Sequence, residues 1–417
     1  MKKAPIIVGK VGKRGNRGGE SSGNSCCRCL YLNRPARRHV DVVPRHHLSL
    51  MGLIQNLLLR FTLFYLSLPL PKDSQANVPS ATNTAGDATD VVFEIFDWIR
   101  IYSDGSVERL VGTDVVPPSF DLATGVVSKD AVIDSSIGLS ARLYLPVNAT
   151  AAGIKLPILI YFHGGAFCIE SPFSPTFHPH LNNLSSLGPL LAVSVNYSLA
   201  PEHPLPAAYE DSWAALQWVL SRADPWLASR GDFRRLYIAG DSAGANICHN
   251  LAMRAGEEGL VAIKGMALAH PFFTGKEPVG SELEYVKFQE GIDRIWHFVC
   301  PSTTGLDDQR ANPVSETAPS LAALGCERVL VAVAGNDVLW SRGWLYYEKL
   351  RSSGWLGNAE IIDTPDAEHD FHVFHPETEK AAALTKSLAA FFATNSSTAL
   401  TKISSFFKAL DPEFSLV

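Results

Sequence analysis

The chain has 417 residues, 46% of them hydrophobic, and a formal net charge of −6. That apolar content supports a sizeable core and excludes a globally disordered chain, and the acidic balance argues against nucleic acid as the main partner. The charge is unevenly placed: residues 1–89 hold 13 Lys and Arg against 4 Asp and Glu, a net +9, so the remainder carries −15 and a basic arm joins an acidic body.

The arm comes first. Residues 1–47 are rich in Lys, Arg, Gly and Ser, with Glu20 and Asp41 their only acids. An apolar run from Leu48 to Leu70 follows, broken by Gln55, Asn56 and Arg60, and a polar linker runs from Lys72 to Ala88. Three addresses fit this composition: a plastid or mitochondrial transit peptide, a signal segment with Phe61–Leu70 as its apolar stretch, or a membrane anchor. Arg60 near the middle of the run makes a stable span costly, so none is expected. The arm could also be disordered, or come from an over-extended start with Met51 as the initiator. On every reading residues 1–89 form an extension separate from a catalytic domain at 90–395, with a short tail at 396–417. Three of the seven cysteines are Cys26, Cys27 and Cys29, a cluster open to acylation. The other four, Cys168, Cys248, Cys300 and Cys326, are scattered. No metal-knuckle spacing appears, so buried reduced thiols are expected, and no metal site.

In the body, Phe93–Ile101 partly alternates as a strand does, Tyr102-Ser-Asp-Gly105 signals a turn, and Val107–Val111 resumes the apolar pattern. Ser140–Leu145, Leu156–Phe162, Leu190–Val195, Arg235–Ala239, Val261–Leu268, Val329–Val333 and Ile361–Ile362 read as strands. Ala207–Leu220, Ala243–Ala255, Trp344–Leu350 and Glu377–Phe392 have helical spacing. Apolar strands alternating with amphipathic helices predict an α/β fold: a mostly parallel central sheet with helices on both faces.

Gly240-Asp241-Ser242-Ala243-Gly244 follows one of those strands and opens a helix. This is the setting of a nucleophile elbow, in which a sharp turn lifts a serine hydroxyl off the sheet and glycines two residues away avoid collision. A helix N-terminus there also favours developing negative charge. Upstream, His163-Gly164-Gly165-Ala166-Phe167 ends another strand. The backbone N–H groups of Gly164 and Gly165 can converge with that of Ala243 on an oxyanion, and His163 is read as a brace for this loop.

A nucleophilic serine needs a base and an acid. In an α/β-hydrolase the chain order is serine, acid, histidine. Asp337 stands just past the strand Val329–Val333, where an orienting acid belongs. The loop after Ile361–Ile362 holds His369, His372 and His375. A histidine from that loop can exchange a proton near neutrality, and only one of the three can be the base.

These motifs together resemble the plant carboxylesterases, in the hormone-sensitive-lipase branch of the α/β-hydrolases. The matching pieces are His163-Gly-Gly-Ala-Phe167, Tyr197-Ser-Leu-Ala-Pro-Glu202, Gly240-Asp-Ser-Ala-Gly-Ala-Asn246, Asp337-Val-Leu and His369-Asp-Phe371-His372. Further matches are Tyr102–Arg109, Gly112–Pro118, Val127–Asp130 and Ala141–Pro146, so the likeness spans about residues 90–393. It implies an α/β-hydrolase fold with a cap formed partly by the N-terminal segment. It also implies nucleophile Ser242, acid Asp337, base His369, oxyanion donors Gly164, Gly165 and Ala243, and no cofactor. The implied activity is hydrolysis of short- to medium-chain or plant secondary-metabolite esters through an acyl-enzyme.

Phe167, Trp340 and Phe371 are candidates to wall an apolar pocket. The implied partner is a small-molecule ester, and the oligomeric state is not readable. The arm departs from the family's usual start, which leaves localisation between cytoplasm and plastid. Two other readings share the site. One is a transacylase or amidase. The other is a silent hormone receptor of the gibberellin type, in which the histidine is lost.

Overall fold

A computed structural model describes residues 90–149, 153–260, 263–284 and 286–393. The extension at 1–89, with its targeting readings and its cysteine cluster, and the tail at 396–417 lie outside the described residues.

The described chain opens with a small antiparallel sheet of β1 (Val91–Ile95), β2 (Ile99–Tyr102) and β3 (Val107–Arg109). The single element expected over Phe93–Ile101 is thus two strands. Between them Phe96 and Asp97 adopt φ of 49° and 55°, a left-handed turn that reverses the chain and that periodicity does not reveal.

The main sheet contains β4 (Phe120–Asp121), β5 (Val126–Asp134), β6 (Leu139–Pro146), β7 (Leu156–Phe162), β8 (Leu191–Asn196), β9 (Gly231–Asp241), β10 (Ile263–Ala269), β11 (Arg328–Ala334) and β12 (Asn358–Thr364). Among the described residues its order is β12-β11-β10-β9-β7-β8-β6-β5-β4. The run from β8 to β12 is parallel throughout, and β6, β5 and β4 are added antiparallel.

The helices are α1 (Phe177–Leu187), α2 (Ala207–Leu220), α3 (Pro225–Arg230), α4 (Ala243–Glu257), α5 (Val286–Val299), α6 (Trp340–Ser352), α7 (Phe371–Phe374) and α8 (Glu379–Ala393). Strand β7 shows why both faces are covered. Its side chains alternate, so Ile158, Ile160 and Phe162 enter one apolar cluster with residues of α2, α4 and α6. Leu159 and Tyr161 enter a second cluster with residues of α1, α7 and α8. All seven residues of β7 are buried, and each fully buried Leu or Ile side chain contributes about 1.5–3 kcal/mol relative to exposure.

The N-terminal sheet rests on α5. The Phe93 ring stacks on Phe298 at 4.9 Å, and Arg294 donates to the Glu94 carbonyl oxygen at 3.2 Å. No described helix is long and apolar enough to cross a membrane. Cys168, Cys248, Cys300 and Cys326 are free and buried.

Candidate active site

The parallel register brings four strand ends together. β7, β9, β11 and β12 run the same way, so the loops that follow them open at one edge of the sheet, where ligands of such sheets bind. These loops carry His163–Phe167, Ser242, Asp337 and His369.

Ser242 sits between β9 and α4 with φ 50° and ψ −116°, a costly backbone state for a non-glycine residue that strand-to-helix elbows impose. The turn is held by three backbone bonds. Ser242 N–H donates to the Ala269 carbonyl at 2.9 Å, and the Ser242 carbonyl accepts from Asn246 and Phe272 at 3.1 and 3.0 Å. The glycines are required by close approach. A Cβ on Gly240 would lie 2.5 Å from the Phe162 carbonyl oxygen, and one on Gly244 would overlap that same oxygen.

Beside the elbow, the loop after β7 bends through Gly165, Ala166 and Phe167 at φ 109°, 51° and 60°. The first conformation suits glycine alone, and a Cβ there would collide with the Ile169 carbonyl. His163 braces the loop: its Nδ1 lies 2.7 Å from the Gly164 carbonyl oxygen. A carbonyl can only accept, so Nδ1 carries the proton. Burial lowers His163 to about 4, which keeps the ring neutral. Tyr197 stacks on it at 4.4 Å and donates to the His163 carbonyl at 2.7 Å.

One expected oxyanion donor is committed elsewhere. Gly164 N–H donates to Asp241 Oδ2 at 3.0 Å, so it is not free for a substrate oxygen. Among the described residues no acceptor stands against the N–H groups of Gly165, Ala166 or Ala243. Ala166 therefore replaces Gly164 in the candidate set. The two adjacent glycines alone do not distinguish Gly164 from Ala166 as a donor. The carboxyl that occupies Gly164 comes from another strand.

Asp337 is 5% exposed and His369 lies beside it, with Nδ1 2.7 Å from Asp337 Oδ2. The other carboxylate oxygen accepts from Leu339 N–H at 3.0 Å at the start of α6, where the helix end favours negative charge. Burial pushes the Asp337 carboxyl up, but the His369 charge and hydrogen bond outweigh it and hold the group below its ordinary range. The far side of the imidazole faces a second acid: His369 Nε2 is 3.2 Å from Asp370 Oδ2. Burial draws the imidazole down, yet Asp337, Asp370 and Asp241 together raise it to about 10.

Four residues here were missed by sequence reasoning as site neighbours. Asp241 hides inside the elbow motif and Asp370 inside the histidine loop. His270 follows β10, and its Nδ1 is 2.9 Å from Asp370 Oδ1. Tyr161 lies on the back face of β7. Their common signal is position at or near the C-terminal end of a parallel strand, which periodicity alone does not mark as polar. His270, His369 and Asp370 present ligand atoms within 4.8 Å of one another. The acid and both rings are already engaged in the contacts above.

The pocket candidates separate. Phe167 is buried edge-on to Phe272 at 6.1 Å, Trp296 at 6.4 Å and Tyr209 at 6.2 Å, an aromatic cluster joined to the nucleophile by the Phe272–Ser242 backbone bond. Trp340 is half-buried, and its indole N–H is bound to Asp363 Oδ2 at 3.0 Å, an acceptor shared with Trp344 at 3.1 Å. Phe371 is 5% exposed and belongs to the core with α1 and α8, against His270 at 5.5 Å.

Residues 159–373 match a family model described as the alpha/beta hydrolase fold. Among curated proteins, the chain is 46% identical over 302 residues to "Probable carboxylesterase 2" of Arabidopsis thaliana, covering 72% of this chain and 96% of that one. It is 44% identical over 328 residues to "Tuliposide A-converting enzyme 1, chloroplastic" of Tulipa gesneriana, covering 77% and 83%. Among solved structures, an esterase of Pyrobaculum calidifontis aligns with TM-score 0.56 at 28% identity, over 64% of this chain and 84% of that one.

Proposed function

Because the chain belongs to the α/β-hydrolases and, within them, to the plant carboxylesterases, we propose that its ester hydrolysis is carried by Ser242, His369 and Asp337. The observation that supports this most is the 2.7 Å contact of His369 with buried Asp337 at the edge where the strained Ser242 stands. Ser242 Oγ attacks the ester carbonyl and its proton passes to His369 Nε2. Asp337 fixes the Nδ1–H tautomer and stabilises the imidazolium. The N–H groups of Gly165, Ala166 and Ala243 receive the oxyanion. The imidazolium then protonates the leaving alcohol, and water activated by the same histidine releases the acid.

The substrate class is short- to medium-chain esters, including esters of plant secondary metabolites, seated against Phe167 and its aromatic neighbours. β1–β3 and α5 form a cap over that side. A second reading, in which an alcohol of the substrate replaces water, draws on the likeness to the tulip enzyme. The receptor reading requires loss of the base, and the 2.7 Å contact of His369 with Asp337 supports the enzyme reading over it. The arm at 1–89 is an organellar targeting segment, and the chloroplastic relative supports that address.

The test is labelling and turnover together. An organophosphate should modify Ser242 and no other serine, and Ser242→Ala should lose hydrolysis by a factor of thousands. Acetyl to hexanoyl p-nitrophenyl esters should be preferred over palmitoyl. Retained activity with labelling elsewhere overturns the assignment, and a strong preference for long chains points to a lipase. Product analysis separates acid from transferred ester.

A further inference from the structure

The residue just before the nucleophile has no part in the reaction as set out above, yet it lies against three separate parts of the site. Asp241 ends β9 and is 1% exposed. Its Oδ1 accepts from Tyr161 Oη at 2.7 Å, its Oδ2 accepts from Gly164 N–H at 3.0 Å, and the Asp370 carboxyl faces it. Gly164 approaches so closely that a Cβ on it would run into the Asp241 carboxyl. One side chain therefore links β7, the loop after β7 and the loop of the base, while its own backbone leads into Ser242.

The consequence lies in the peptide planes. Gly164 is pinned at both ends: its N–H by Asp241, and its carbonyl by the protonated Nδ1 of His163 at 2.7 Å. The Gly164 carbonyl and the Gly165 N–H belong to one planar trans peptide and point in opposite directions. Fixing the carbonyl toward His163 aims the Gly165 N–H the other way, and fixing Gly164 N–H fixes where that plane sits. Burial, followed by the facing Asp370 charge, holds the Asp241 carboxyl well above its ordinary range, and its two oxygens are taken up by Tyr161 and Gly164.

We propose that Asp241 is a positioning residue for the oxyanion hole. By taking up the Gly164 N–H, and with His163 holding the same residue's carbonyl, it sets the Gly165 and Ala166 N–H groups in the geometry of the transition state. The proposal rests on the Ser242 reading above.

Rescue by a neutral isostere distinguishes this role from mere burial of a polar group. In Asp241→Asn the amide oxygen still accepts from Gly164, and the amide nitrogen donates to Tyr161 Oη, whose hydroxyl can rotate. Turnover per phosphonate-titrated active site should stay within about threefold of the parent. In Asp241→Ala the bracket is gone. kcat should fall on the order of 10–100-fold with KM within about threefold, short of the 10²–10³ seen when an oxyanion donor is removed outright. Melting temperature is followed alongside, and loss of active sites is corrected by the titration.

An Asp241→Ala enzyme that turns over at the parental rate overturns the proposal, as does an Asn variant that falls as far as Ala. If Asp241→Ala does not fold, His163→Phe removes the opposite clamp. It should lower kcat to the same extent with KM kept, and a parental kcat there also overturns the proposal. Failure of the esterase reading itself would look different, since the parent would then not be labelled at Ser242.

Discussion

His369 is held between two buried acids, with Nε2 3.2 Å from Asp370 Oδ2 and Nδ1 2.7 Å from Asp337 Oδ2. Burial alone would lower the imidazole, but the acids around it raise it to about 10. The free enzyme needs a neutral His369 to take the serine proton, so kcat/KM should rise with pH through neutrality and level off only near pH 10. Asp370→Asn removes one of the raising charges while keeping a residue that tolerates the φ of 51° at this position. Its ascending limb should move to lower pH. A parental profile already flat above pH 7, or an unmoved limb in Asp370→Asn, contradicts this.

The same coupling acts on stability, with a definite sign. The folded-state value of His369 is raised above its ordinary 6.5 to about 10. The charged form is therefore stabilised by folding, and that contribution is complete below about pH 6.5 and lost as pH rises through about 10. The melting temperature of the parent should fall across that window more than that of His369→Gln. The difference between the two should be constant at lower pH, down to where Asp337 begins to protonate. Parallel melting curves from pH 6 to 10 would contradict the coupling.

Much of this was legible before the fold was known. β7 and α2 match their expected limits, and the elbow stands where Gly240 and Gly244 placed it. Those features are written in local rules: buried strands as apolar runs, helices as spacing, tight turns as glycine. The left-handed reversal at Phe96 and Asp97 was not legible, nor was α1, whose Phe-His-Pro-His-Leu-Asn-Asn start reads as loop until it is packed against α8. The site divided along the same line. Ser242, Asp337 and His369 have motifs. Asp241, Asp370, His270 and Tyr161 meet only because β7, β9, β10 and β12 end at one edge, and the commitment of Gly164 N–H depends on that meeting.

Three histidines share one loop, and the structure gives each a different surrounding. His369 faces Asp337, whereas His372 is buried against the rings of His180 and His270 at 5.2 and 5.3 Å, with neither nitrogen partnered. Burial holds His372 well below its ordinary value. His375 is half-buried, with Nδ1 3.8 Å from Glu377. His369→Ala should therefore lose nearly as much activity as Ser242→Ala, and the double variant should be little worse, because the pair acts as a unit. His372→Ala should show its effect in melting temperature through the space left in the core. It and His375→Ala should each keep at least a tenth of the rate, a barrier change of at most about 1.4 kcal/mol. A dead His372→Ala with a normal melt would move the base to that residue.

Arg109 stands outside the span matched by the family model, yet it reaches the oxyanion loop. Its Nε donates to the Cys168 carbonyl at 2.7 Å, its Nη2 to the Ala200 carbonyl at 3.0 Å, and both Nη atoms to the Glu202 carboxylate at 2.8 and 2.6 Å. Cys168 N–H in turn donates to the Gly165 carbonyl, and Ala200 N–H to the Phe167 carbonyl. The guanidinium thus ties the far end of the oxyanion loop to the segment beside it. Removing residues 1–89 should leave turnover per titrated site near the parental value, because the arm has the composition of an address. Removing residues 1–110 also takes away β1–β3 and the Arg109 fork, and should abolish most activity. Arg109→Lys separates the fork from the charge, since a single ammonium cannot reproduce four donor contacts in one plane. Its kcat should fall toward that of Arg109→Ala, with the melting temperature nearer the parent. Full activity in Arg109→Ala would show that the loop holds its shape from within, leaving Asp241 and His163 as its supports.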